Sequence, residues 1–149
     1  MQNVSCSQDV WSLVSDWNVE YLVAYSSKVS VTTGHEPDHP SLLNRTVTLP
    51  SGTFHEILLG LNDAEHAVDY VTVDGPVLFH RHFISFSLKE LPAGVDGQPQ
   101  CQMLWDSYAW AKAAEGNEKA QEKAQAMLEQ GVVNAIQVIN HTLKTRNAA

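Results

Sequence analysis

The stretch from Asn117 to about Arg146 reads as one long helix, and its pattern restricts what the rest of the chain can be. Ala124, Leu128, Val132, Ala135, Ile136, Ile139 and Leu143 recur at a 3.6-residue period and form a single apolar stripe. Lys119, Glu122, Lys123, Gln130 and Gln137 take the opposite face. Asn117 is placed to cap the first turn, with Glu118 at the positive end of the helix and Lys144 and Arg146 at the negative end. A helix this long with one greasy side has to lie on an apolar surface, and only a sheet formed earlier in the chain can supply it.

The preceding residues provide that sheet. Lys28–Thr33, Leu43–Leu49, Thr53–Asn62, Ala67–Asp74, Leu78–Leu91 and Gln100–Trp110 all read as strands. The breaks between them are rich in Gly, Pro, Asn and Asp, as in Pro50-Ser51-Gly52, Asp74-Gly75-Pro76 and Pro92 to Gly97. Strands at this spacing, joined by short turns, predict an antiparallel meander. Ahead of them, Ser7 can cap a short helix carrying Val10, Trp11, Leu13, Val14 and Trp17, and Tyr21 to Tyr25 can form a second helical turn. The order is short helices, strands, then one long helix. This is an α+β chain forming a single domain over residues 1–149, with the helix against one face of the sheet.

Charge narrows the partners. The net charge is −8, and the nine Lys and Arg residues are scattered, which argues against nucleic acid and against anionic membrane surfaces. No apolar run is long enough to span a bilayer, and the first residues lack the basic and apolar regions of a secretory signal, so a cytoplasmic location is expected. On that ground the glycosylation patterns at Asn3, Asn44 and Asn140 read as chance; Cys6 and Cys101, without CxxC spacing and too few for a disulfide scaffold, read as two buried or partly buried thiols. Neutral, aromatic or weakly cationic small ligands remain.

Strand alternation shows which residues share a face. From Leu78 to Leu88, one face carries Leu78, His80, His82, Ile84, Phe86 and Leu88, and the other becomes more polar, so the first is the inner face. From Cys101 to Trp110 the sets are Gln102, Leu104, Asp106, Tyr108, Trp110 and Cys101, Met103, Trp105, Ser107, Ala109. Periodicity alone does not choose between them. Nor does it for Phe54, Glu56, Leu58, Gly60 against His55, Ile57, Leu59, Leu61. If the second of these sets faces outward, Ile57, Leu59 and Leu61 form an exposed stripe suited to a homodimer.

Three stretches carry a resemblance. They are Val10 to Trp17; Leu49-Pro50-Ser51-Gly52-Thr53 through Glu56 to His66; and Trp105-Asp106-Ser107-Tyr108 followed by Glu115-Gly116-Asn117. In this order they resemble the START-like superfamily, which includes polyketide cyclases/dehydratases, the birch-pollen-allergen group and the plant abscisic acid receptors. The resemblance implies a helix-grip fold: a curved antiparallel sheet of six to seven strands wrapped around the C-terminal helix, with two short N-terminal helices and an internal ligand cavity. It also implies that Glu56 and Asp106 point into the cavity with Tyr108 beside them. In two respects the sequence departs from the family. The first strand is shortened to Asn3 to Cys6, and Ser26-Ser27 stands near the place of the receptors' ligand-anchoring Lys.

On that reading Glu56, His80, His82, Asp106 and Tyr108 converge as candidate catalytic residues. Phe54, Leu58, Ile84, Phe86, Leu104, Trp110, Leu128, Val132 and Ile136 line the ligand space. A His beside a carboxylate can relay a proton near neutral pH, which suits cyclisation, dehydration or isomerisation of a polyketide-like or other secondary metabolite. The same groups can simply hydrogen-bond a ligand, which makes the chain a carrier or sensor of an apolar metabolite. His80-x-His82 puts both rings on one side of a strand, as a metal site on a sheet requires. The resemblance, however, implies neither metal nor cofactor. His35 and His39 lie in a Pro-rich loop, and His55, His66 and His141 read as surface residues.

Overall fold

The structure is a computed structural model. It describes residues 6–75, 79–111 and 118–148, giving only the backbone at 79, 80, 109–111, 120, 121, 124 and 147. Helices α1 (Cys6–Val14) and α2 (Glu20–Tyr25) come first. They are followed by β1 (Ser30–His35), β2 (Leu43–Leu49), β3 (Gly52–Asn62), β4 (Ala67–Asp74), β5 (Phe79–Leu91) and β6 (Gln100–Ala111), and then by α3 (Glu118–Ala148). The strands form one open antiparallel sheet in chain order, and α3 crosses its inner face. The architecture is α+β. No helix among the described residues is long and apolar enough to cross a membrane.

Cross-strand register explains the layout of the inner face. Leu58, Tyr70, Ile84 and Ser107 lie opposite one another in one row, and Leu61, Val68, Phe86 and Trp105 in the next. Large apolar side chains on α1 complete the core above the second row. Val10, Trp11 and Leu13 pack with Val68, Phe86, Leu88 and Ile139, the last only 1% exposed. Phe86 meets Trp105 edge to face at 5.2 Å between ring centroids. The β3–β4 turn fastens α1 from outside: Trp11 Nε1 donates to Asp63 Oδ1 at 2.9 Å, and the indole stacks on His66.

Several sequence expectations are corrected here. Cys6 and Cys101 are joined in a disulfide that ties the start of α1 to β6. Their separation of 95 residues conceals a contact made only when α1 folds across the sheet. His66 is half-buried, at a φ of 48° in the turn. His55 is also half-buried, with Nε2 3.1 Å from Glu36 Oε1 and Nδ1 3.3 Å from Thr46 Oγ1. The stripe Ile57, Leu59, Leu61 is broken as one face, although Leu59 and Leu61 are both exposed. A bulge between Leu58 and Gly60 inserts Leu59 as an extra residue, so Leu61 falls opposite inward-facing Val68. The expected strand from Asn3 lies outside the described residues up to residue 5, and Cys6 is helical.

Candidate functional site

Next to the solid core, the same sheet face borders a cavity of about 540 Å³. Its floor is one cross-strand row, Arg45, Glu56, Thr72 and His82, running from β2 to β5. Apolar side chains flank the row: Val47 and Phe54 on one side, Ile84 and Trp105 on the other. The roof is α3, through Met127, Leu128, Gly131, Val132 and Ala135. Val19 and Leu22 close the edge beside α2. Val19 is buried at a φ of 45°, a conformation that β-branched residues rarely adopt. Asp16 holds this bend, accepting from the backbone N–H of Asn18 and Glu20 through its carboxylate and of Val19 through its carbonyl.

The row is linked by hydrogen bonds at its charged end. Arg45 Nε donates to Glu56 Oε1 at 2.8 Å, and Thr72 Oγ1 donates to Glu56 Oε2 at 3.0 Å. Arg45 also donates through one terminal nitrogen to the Trp17 carbonyl at 3.3 Å. Its guanidinium lies 3.9 Å from the Trp17 ring centroid and 5.1 Å from that of Tyr70, an arrangement that suits a flat cation. Arg45 and Glu56 are both buried, and each supplies the charge that makes the other tolerable.

Burial also sets the protonation of the neighbouring groups. Desolvation pushes the His82 imidazole below its ordinary 6.5, while the Glu56 carboxylate pulls the other way, so the neutral ring is favoured. Desolvation raises the Tyr70 phenol well above its usual range, Glu56 adds to this, and Arg45 opposes it. Tyr21 is raised for the same primary reason, with Arg45 lowering it and Asp16 raising it. Neither phenol ionises near neutral pH. The row therefore offers one cancelled ion pair, a hydroxyl and a neutral imidazole.

Of the expected catalytic residues, the structure brings Glu56 and His82 together in the cavity. The side chain of His80 lies outside the described residues. Asp106 and Tyr108 are corrected to the opposite face: they lie opposite outward-facing Ser85 and Phe83, and Tyr108 is 63% exposed. The physical reason is Trp105, whose burial against Phe86 fixes the parity of β6 together with inward-facing Cys101 and Met103. Leu104 shares the outward parity and is exposed, and the side chain of Trp110 is outside the described residues.

Among the expected ligand contacts, Phe54, Ile84, Leu128 and Val132 line the cavity. Leu58 and Phe86 belong to the solid core instead, and Ile136 is half-buried away from the lining. The sequence reading missed Arg45, Thr72, Trp17 and Tyr70 as site residues. The signal for Arg45 was its spacing, since Arg45, Val47 and Leu49 fall on one face of β2 and a cation on an apolar face needs a buried partner. Among the described residues, no three His, Cys, Asp or Glu side chains gather as a metal site would require. The sequence matches no protein-family model and no curated protein.

Proposed function

We propose that this chain binds an apolar small molecule in the cavity between the sheet and α3, within a helix-grip architecture of the START-like kind. The observation that carries this reading is the pairing of a volume of about 540 Å³ with a mainly apolar lining and a single polar row. That combination suits a ligand whose body is greasy and whose orientation is set by a few hydrogen bonds. The element order and the roof formed by the C-terminal helix support the architecture.

Binding without chemistry is the better supported form, because Glu56 has an oxygen committed to Arg45 and another to Thr72. A second reading, proton transfer beside a carbonyl, rests on His82, which lines the cavity and is held toward its neutral, proton-accepting form. The Cys6–Cys101 bond belongs to oxidising surroundings and weighs against a cytoplasmic site of action.

Titration with N-phenyl-naphthylamine, an uncharged probe that fluoresces in apolar surroundings, tests the binding reading. The wild-type chain is expected to bind it saturably, and Ala135→Trp, which fills the roof side of the cavity, is expected to abolish binding while the circular dichroism spectrum is kept. Absence of saturable binding, or equal binding by the filled variant, overturns the proposal.

A further inference from the structure

The polar row also determines which ligands fit. The cavity contains a guanidinium, and an arginine in an apolar pocket is ordinarily a carboxylate or sulfonate receptor. Here that function is already occupied. Glu56 Oε1 accepts from Arg45 Nε at 2.8 Å, the Trp17 carbonyl takes a further guanidinium donor, and Trp17 and Tyr70 hold the plane of the group. Glu56 in turn is fixed by Thr72 at 3.0 Å. An incoming anion would have to displace a carboxylate anchored on two sides, or lie beside it and be repelled.

We infer that Glu56 is the specificity-determining residue of this cavity: by cancelling Arg45 from within, it restricts the site to uncharged ligands and turns away organic anions of the same shape. This rests on the binding reading above and adds the ligand's charge class to it. A hydroxyl, ether, ketone or amide on the ligand then meets the Thr72–His82 end of the row, and its hydrocarbon meets Val47, Phe54 and Ile84.

The test uses two probes with one hydrocarbon skeleton, N-phenyl-naphthylamine and anilinonaphthalene sulfonate, which differ by the sulfonate. The wild-type chain is expected to bind the uncharged probe at least about tenfold more tightly, the ratio that one missing charge-assisted hydrogen bond produces. In Glu56→Gln the amide oxygen can still accept from Thr72 but Arg45 keeps its charge, and the sulfonate is expected to gain about tenfold or more. In Arg45→Gln combined with Glu56→Gln the gain is expected to vanish.

Wild-type binding of both probes with equal affinity overturns the inference, whatever the variants do. So does a folded Glu56→Gln chain with an unchanged ratio, or a double variant that gains as much as the single one. Failure of the wild type to bind either probe overturns the binding reading instead, and the two failures are thereby told apart.

Discussion

One face of one sheet is packed solid at one end and hollow at the other. At the solid end β4, β5 and β6 present Val68, Phe86, Leu88 and Trp105, and α1 delivers Trp11 and Leu13 onto them. At the hollow end a single row presents Arg45, Glu56, Thr72 and His82, and α3 offers Gly131 and Ala135 where a bulkier side chain would fill the space. The difference comes from what stands above the strands more than from the strands themselves. Large side chains above the apolar rows give a close-packed core. Small ones above a row of paired polar groups leave room that a ligand can occupy. The same helix serves both ends, with Ile139 in the core and Leu128 and Val132 over the cavity.

Truncation at the two ends should separate them most strongly. Ile139→Ala is expected to cost about 2–5 kcal/mol in urea unfolding, as deletion from a packed interior does. Leu128→Ala, whose side chain already borders empty space, is expected to cost well under half as much. Equal losses would mean that the hollow end is filled and supported like the core.

A smaller effect of opposite sign is expected at Gly131. A methyl group built there meets nothing within 4 Å, and the residue lies inside α3. Gly131→Ala should therefore raise stability by about 0.5–1 kcal/mol, the usual difference between these residues within a helix. A loss of stability would show that the roof is more crowded than its geometry indicates.

The smallest effect is a dependence on acidity. His82 in the folded chain takes up a proton less readily than at its ordinary 6.5, so its contribution is complete above that value and is lost as the pH falls below it. Between pH 7.5 and 5.5 the melting temperature of the wild type should fall more than that of His82→Gln. All other groups are common to both chains and drop out of the difference. Parallel curves would place the imidazole in water.

The succession of strands and helices was legible because alternation, turn residues and the 3.6-residue stripe are local signals. Most strand limits agree with the structure, and β1 differs by beginning two residues late and running through Gly34 to His35. The facing of β6 was less accessible. Periodicity left both parities open, and the family resemblance favoured the one with Asp106 and Tyr108 inward. Burial of Trp105 beside Phe86 decides the matter, and that contact spans two strands. Half of the candidate site was missed for a related reason. Arg45 becomes meaningful only beside Glu56, Trp17 and Tyr70, which register and the bend before α2 bring together.

The bond between Cys6 and Cys101 closes a covalent ring around α1, α2 and the first five strands. Withdrawing loop freedom from the unfolded chain favours everything inside such a ring. α3 lies beyond it in the chain and packs on it with Ile139 in the core and Leu128 and Val132 over the cavity. The bond therefore braces the core end directly, through α1 and β6, and the cavity end only through the sheet that the two ends share.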